Sequence, residues 1–154
     1  MLRLFTLDLS RDASSNIEFR DVLAALVLPE LSWTAEDISV VVVGHSDLPI
    51  AEIEEASSTP GVANPVLDSE TFAAFNRAIL QLIDGEMIGY ETKHLQQLEK
   101  AAIRLDVVDG TFWTVILDPD RVGVRSDFTA MFGDGTPISA MSSRATQSSR
   151  SDDT

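Results

Sequence analysis

The chain has 154 residues, no cysteine, and 25 acidic against 11 basic residues, which gives a formal net charge of −14 at pH 7. Without cysteine it can form no disulfide, thiolate metal site or iron–sulfur cluster. Nucleic acids and anionic membranes both require a basic surface on their protein partners, so we expect neither to bind here. About eight of the net negative charges belong to residues 1–60. The composition therefore favours a basic protein as the partner.

The length and hydrophobic content predict one globular domain. A chain of this size can bury a core without disulfides, and 44% of its residues are hydrophobic. Asp8 interrupts the first apolar run, which argues against a signal peptide. No apolar run reaches the ~18 residues of a membrane span. We therefore expect a cytoplasmic protein.

The start of the chain predicts a strand and then a helix. Residues 2–9 alternate in a way typical of a strand with two apolar faces. Apolar side chains at helical spacing predict a helix over residues 17–28, with Asn16 as its N-cap. Pro29 is expected to end it, because the residue before a proline avoids helical torsion angles. An irregular segment should follow, with Trp33 packed in the core or at its rim.

A β-branched run over residues 38–43 predicts a strand that is covered on both faces. Residues 44–47, Gly-His-Ser-Asp, bring a nucleophile-like trio together. They lack the second glycine of a nucleophile elbow, so we expect only a turn that ends the strand. Pro49 is expected near the start of a short acidic helix. A loop over residues 57–65 then separates this helix from the second half of the chain.

The second half begins with a predicted helix over residues 68–83, whose apolar side chains form one stripe. The Asp-Gly pair at residues 84–85 is expected to end it. Residues 86–90 should form a short strand. Residues 92–100 should form either a helical turn or an extended edge.

The clearest turn signal is Asp109-Gly110, which suits a type I′ hairpin between strands at residues 102–108 and 111–117. Residues 118–132 predict a helix followed by Gly133, with a strand over residues 122–128 as the alternative.

The order of these elements predicts an α+β domain over residues 1–133. We expect a mixed or mainly antiparallel sheet of about five strands, in a single layer, packed with three to four helices. Residues 134–154 are polar and are expected to form a flexible tail.

No motif predicts a catalytic residue, a metal ligand or a cofactor. His45 and His94 lie far apart in sequence and lack the paired spacing of a zinc site. Acidic pairs are frequent because acids are frequent. A carboxylate enzyme that uses residues 44–47 or the Asp84/Glu86 pair stays open as an alternative.

Seven acidic residues are candidates for a partner-binding surface. They lie on the predicted acidic helix, at a corner within the central block of residues 68–117, and at a second corner just after it. They are Glu52, Glu54, Glu55, Asp84, Glu86, Asp118 and Asp120.

Two stretches of the central block carry a resemblance. Ile83-Asp-Gly-Glu-Met-Ile-Gly-Tyr90, followed by Val108-Asp-Gly-Thr-Phe-Trp113, resembles the layout of small acidic cytoplasmic proteins of the bacterial toxin–immunity type. The resemblance implies tight inhibition of a cognate toxin by an acidic face that covers its active site. Such proteins share no common site motif, so no residue role is transferred.

The favoured hypothesis is a non-enzymatic protein-binding module, such as an immunity or inhibitor protein that neutralises a basic toxin. One alternative is the carboxylate enzyme. The other is a structural or assembly subunit, for example a homodimer formed through edge strands. A monomer and a homodimer are both compatible with the sequence.

Overall fold

A seven-stranded antiparallel sheet, four helices and a separate two-stranded ribbon form the fold. These counts refer to residues 1–10 and 17–141, which are the residues that the computed structural model describes. The predicted α+β class is confirmed. The main sheet has seven strands rather than about five, and the ribbon is additional.

The strands are β1 (Leu2–Asp8), β2 (Leu26–Val27), β3 (Ser32–Val42), β4 (Val66–Leu67), β5 (Ile79–Tyr90), β6 (Ile103–Val108), β7 (Phe112–Leu117), β8 (Gly123–Val124) and β9 (Thr136–Ile138). The helices are α1 (Phe19–Ala24), α2 (Ile50–Ser58), α3 (Ser69–Ala78) and α4 (Ser126–Phe132). Two 3-10 turns, Thr92–His94 and Leu98–Lys100, match the helical-turn alternative for residues 92–100.

The main sheet has the order β4-β3-β5-β6-β7-β1-β9 and encloses the main core on one face. All four helices contribute buried residues to that core. Because successive strand residues point to opposite faces, Met87 lies in the main core while Ile88 lies in a smaller cluster on the second face. Leu98 and Met141 belong to the smaller cluster, which covers part of the second face.

The first helix is shorter than its apolar pattern predicts. α1 ends at Ala24, and the next residues form β2, which pairs with β8. The predicted end at Pro29 is therefore wrong. The residues expected to form the last turn of the helix instead pair, as β2, with β8, which is distant in sequence. Asn16, the predicted N-cap, lies outside the described residues. Glu18 precedes the helix instead, and its N–H donates to Asp21 Oδ2 at 2.9 Å.

Strand β3 is longer than predicted and contains a bulge. It begins at Ser32, so Trp33 lies in a strand rather than an irregular segment, and is buried as expected. From Glu36 to Ser39, β3 advances by three residues while its partner β5 advances by only two. Asp37, inside this bulge, has a φ of 52°. The extra residue breaks the alternation of side chains. The sequence pattern therefore predicted a strand only from residue 38.

The largest difference concerns the junction of α3 and β5. The helix ends at Ala78, and β5 runs from Ile79 to Tyr90. Asp84 and Gly85, which were expected to end the helix, lie inside this strand. A short apolar run does not distinguish a helix from a buried strand, and pairing with β3 and β6 decides for the strand.

Asp68 caps α3, as predicted, and gives the fold a pH-dependent contact. Its Oδ1 accepts a hydrogen bond from the Thr71 N–H at 2.7 Å. This backbone bond, followed by a bond with the Thr71 side chain, lowers the pKa of the Asp68 carboxyl below its ordinary value of 3.8. A lowered pKa in the folded state stabilises the fold above the unfolded pKa. That stabilisation is lost as the pH falls through the folded pKa.

We therefore expect wild type to be more stable than Asp68→Asn near neutral pH, and the difference to shrink in acid. Asn keeps a capping oxygen but cannot titrate. Urea unfolding of both proteins at several pH values between neutral and about 3 measures the difference. A difference that stays constant with pH would show that the carboxylate charge is not its source.

The hairpin predicted at Asp109-Gly110 is confirmed. Both residues have positive φ, 53° and 68°, and the Thr111 N–H donates to Val108 O at 3.1 Å. The tip also contacts β5, because the Gly110 N–H donates to Ile83 O at 2.6 Å.

Residues 118–132 contain both of their predicted alternatives in succession. A short strand, β8, comes first and α4 follows it, with Gly133 at a φ of 75° after the helix as expected. Beyond the predicted boundary at residue 133, β9 pairs with β1 and Met141 is buried. Residues 142–154 lie outside the described residues, so the flexible tail stays a prediction there.

Both edges of the main sheet are partly covered. At one edge, β9 has three residues and includes Pro137, which has no N–H to offer another strand. At the other edge, β4 covers only two residues of β3. Helix α2 covers the next part: Ser57 Oγ accepts from the Ile38 N–H at 3.1 Å, and Glu54 Oε2 accepts from the Val40 N–H at 3.2 Å.

Replacing Ser57 by Ala is expected to cost about 1–2 kcal/mol, because it removes the acceptor of a buried backbone N–H. Ser58→Ala is the matched control. Ser58 is the next residue of α2, is exposed, and should cost less than about 0.5 kcal/mol. Urea unfolding measures both variants. Equal losses would show that the bond to Ile38 does not stabilise the edge.

Candidate protein-binding surface

The bulge in β3 brings acidic residues from two strands to one place. Glu36 lies opposite Glu86, and Ser39 lies opposite Asp84. Asp37 between them has positive φ, a conformation that Asp tolerates better than most side chains. Bulges redirect side chains, so acids that are close in sequence here face two different surfaces.

Four carboxylates line one open cleft of about 580 Å³ beside the bulge. They belong to Asp37, Glu54, Glu55 and Asp84, and we call this concavity the acidic cleft. Within the described part of the chain, no Lys, Arg or His lines it. The structure thus brings together three of the seven predicted residues and adds Asp37.

Two of these carboxylates also hold the backbone. Glu54 Oε2 accepts from the Val40 N–H, and Asp84 Oδ1 accepts from the Asp109 N–H at 3.1 Å. Asp37 and Glu55 are exposed. Substitutions that test binding without disturbing the fold therefore belong at Asp37 and Glu55.

Glu86 does not lie at the surface, and its predicted surface position is wrong. Its side chain is 1% exposed, and its Oε2 accepts from Arg104 Nε at 3.0 Å. Arg104 is fully buried, and its Nη2 lies 3.6 Å from Asp106 Oδ2. Buried charges require paired partners, because removing them from water is costly. The three side chains therefore form a structural ion cluster.

The remaining predicted acids lie outside the acidic cleft. Glu52 is exposed on α2 but does not line the cleft. Asp118 and Asp120 follow the end of β7 that pairs with the start of β6, whereas the acidic cleft lies near the end of β6. Asp118 has a local role there: its Oδ2 accepts from Arg121 Nε at 2.9 Å and its Oδ1 from the Asp120 N–H at 3.0 Å.

Three consecutive exposed valines follow the acidic cleft along the chain, at the end of β3 and just beyond it. Val41, Val42 and Val43 expose 40%, 46% and 45% of their surface, and we call them the valine strip. The expectation that this run is covered on both faces is wrong for these three residues. They begin two residues after Ser39, which lines the acidic cleft, so the strip lies next to the cleft along the chain.

A second concavity of about 460 Å³ lies on the second face of the sheet, where Glu36, Glu86 and Tyr90 line it. Burial raises the pKa of the Tyr90 phenol, a hydrogen bond with Thr34 lowers it by less, and the charge of Glu86 raises it further. The phenol is therefore neutral at neutral pH. Asp84 and Glu86, the acidic pair considered from the sequence, line different concavities.

The Gly-His-Ser-Asp segment forms the expected turn. His45, Ser46 and Asp47 are all exposed, and Ser46 Oγ accepts from the Leu48 N–H at 3.1 Å. This local bond is typical of serine in turns.

Among residues 1–10 and 17–141, no group of three or more His, Asp or Glu side chains could hold a metal ion. None of the helices in these ranges has the length and apolar character needed to cross a membrane. Comparisons of the chain with protein-family models, with curated proteins and with solved structures found no match.

Asp37 and the valine strip were missed in the sequence. A signal for Asp37 exists, because two adjacent acids interrupt a β-rich segment between Trp33 and Val40, as a bulge does. No comparable signal separates exposed valines from buried ones, since a run of valines is apolar on both faces.

Proposed function

We propose that this protein is a non-enzymatic binding module that engages a basic protein partner through the acidic cleft and the valine strip. The proposal rests on the closeness of three exposed valines to the acidic cleft, along and just beyond β3. Exposed acids alone serve solubility. Exposed apolar side chains do not, and a patch of them rimmed by polar groups is typical of a protein-interaction site.

The two surfaces define the chemistry of the partner. The acidic cleft accommodates Lys or Arg side chains, which would pair with carboxylates on α2, β3 and β5. The valine strip offers an apolar contact beside them, as in interfaces that combine an apolar centre with a charged rim. The net charge of −14 would speed the encounter with a basic partner.

The narrower form of the proposal is an immunity or inhibitor protein for a toxin with a basic active site. It rests on the resemblance of residues 68–117 and on the acidic cleft that borders this block. Co-expression with the product of a neighbouring toxin-like gene tests it. Protection of the cells supports the narrower form, and undiminished toxicity contradicts it. The general proposal of a basic protein partner is tested separately, by the binding experiment.

The binding experiment uses purified basic proteins encoded by neighbouring genes, titrated by calorimetry. The cleft variant carries Asp37→Asn and Glu55→Gln. Its control carries Glu30→Gln and Asp120→Asn, which remove the same charge from exposed positions elsewhere. We expect the cleft variant to bind about tenfold more weakly and with less salt dependence, and the control to bind like wild type.

The valine strip has its own matched pair. Val42→Thr keeps the shape of a β-branched residue, and Val124→Thr makes the same change at a valine that is 44% exposed on β8. We expect only Val42→Thr to weaken binding, with the salt dependence unchanged because no charge is altered. Equal affinities for the cleft variant and its control, or for the two valine variants, would contradict this surface.

A further inference from the structure

A separate concavity of about 310 Å³ lies between α1 and α3, on the side of the sheet that the helices cover. Its volume falls at the lower end of the ~300–1,000 Å³ typical of small-molecule sites. Leu23, Leu31, Trp33 and Phe72 form its apolar part, and the rings of Trp33 and Phe72 stack with centroids 4.0 Å apart. We call this concavity the helix pocket.

Two polar side chains lie together at one end of the helix pocket. Arg20 Nη2 donates to Ile79 O at 2.8 Å, and Ile79 lies just beyond the end of α3, one turn after Asn76. Both Arg20 and Asn76 line the pocket. The polar groups therefore converge at the C-terminal end of α3, while Ser69, at the start of α3, marks the other end.

The side chain of Asn76 carries an unpaired hydrogen-bond acceptor at the polar end of the helix pocket. Its Oδ1 is buried and has no hydrogen-bond partner among the described residues. An unsatisfied buried acceptor is costly, and a ligand that donates a hydrogen bond would remove the cost. Arg20 is half-exposed and engages Glu18 at 3.6 Å through Nε, which leaves its Nη1 edge able to pair with a carboxylate.

We propose that the helix pocket binds a small aromatic acid that carries a hydrogen-bond donor beside its carboxylate, that is, an aromatic 2-hydroxy or 2-amino acid. Arg20 pairs with the carboxylate, Asn76 Oδ1 accepts from the adjacent hydroxyl or ammonium, and the ring lies against Trp33 and Phe72. This site is independent of the acidic cleft and of the partner proposed for it.

The test uses 3-phenyllactate, L-phenylalanine and 3-phenylpropionate as probes, followed by amide NMR shifts of the labelled protein. The first two carry the donor and differ in its chemistry, while 3-phenylpropionate has the same ring and carboxylate without it. We expect saturable shifts at Leu31, Ala73 and Asn76, and about tenfold weaker binding of 3-phenylpropionate, since the Asn76 acceptor is then left unpaired. The tighter binder of 3-phenyllactate and L-phenylalanine shows whether the pocket prefers a hydroxy acid or an amino acid.

Ala73→Leu is the blocking variant, because Ala73 is exposed on α3 and lines the helix pocket. Ala130→Leu makes the same change at an exposed position of α4 outside it. We expect Ala73→Leu to abolish the shifts and Ala130→Leu to preserve them. The proposal is overturned if neither donor probe shifts these amides at millimolar concentration, if Ala73→Leu leaves binding intact, or if 3-phenylpropionate binds as tightly as both donor probes.

Discussion

Replacing Arg104 by Met should destabilise the protein by about 3–5 kcal/mol. Arg104 is fully buried, with its Nε 3.0 Å from Glu86 Oε2 and its Nη2 3.6 Å from Asp106 Oδ2. The two acids lie opposite each other on β5 and β6. Removing the guanidinium leaves two buried acids without their shared positive charge. Urea unfolding at neutral pH measures the loss as a shift of the midpoint at constant slope.

Two controls separate the buried charge from the loss of an arginine in general. Arg77→Met removes an exposed arginine on α3 and should change stability by less than about 0.5 kcal/mol. The triple variant Glu86→Leu, Arg104→Met, Asp106→Val removes all three charges and should recover most of the stability. A loss below about 1 kcal/mol for Arg104→Met alone would contradict a buried structural ion cluster.

Gly85→Ala is the second substitution with a large expected effect, about 3 kcal/mol or more. Gly85 has a φ of 127°, and a Cβ there would lie 2.6 Å from Ile38 Cγ2 and 2.7 Å from Ile38 Cα. The cost combines backbone strain with a collision against the strand that carries the bulge. Thermal or urea unfolding measures it.

Gly61→Ala is the matched control for Gly85→Ala. Gly61 also has positive φ, 78°, but nothing lies within 4 Å of the added Cβ. It therefore carries the backbone strain alone, about 1–2 kcal/mol. If the two variants lose the same stability, the close approach of β5 to the bulge is not the reason that residue 85 must be glycine.

Features that depend on a few neighbouring residues were predicted correctly. The Asp109-Gly110 turn, the Asp68 cap and the helix after Pro49 each follow from the chemistry of two to four residues. The end of α3 was not predicted, because its apolar stripe fits a helix and a strand equally well. The choice depends on β3 and β6, whose pairing with β5 is not local in sequence.

In the candidate site, too, local features were predicted and those that depend on distant residues were not. Glu54 and Glu55 could be assigned to an exposed acidic helix from their spacing, but their meeting with Asp84 depends on where α2 lies against β3. Asp84 and Glu86 are two residues apart in one strand, and alternation alone would place them on the same face. The β3 bulge lies opposite them, and one lines the acidic cleft while the other lies in the ion cluster.

The valine strip was expected to be covered on both faces, and the structure shows it exposed. A β-branched run of this kind normally lies in a sheet covered on both faces. Here it extends beyond the part of β3 that β4 protects, and three valines stay exposed. Exposed apolar residues reduce solubility, so their position beside the acidic cleft supports a surface that a partner covers.

Hydrogen–deuterium exchange of the protein, free and bound to the basic partner identified by titration, shows which surface the partner covers. We expect slower exchange on binding in residues 36–43 and in the part of α2 that lines the acidic cleft, with no change at residues 118–121. Slower exchange confined to residues 118–121, with residues 36–43 unchanged, would contradict the proposed surface. So would the failure of every neighbouring basic protein to bind at micromolar concentration.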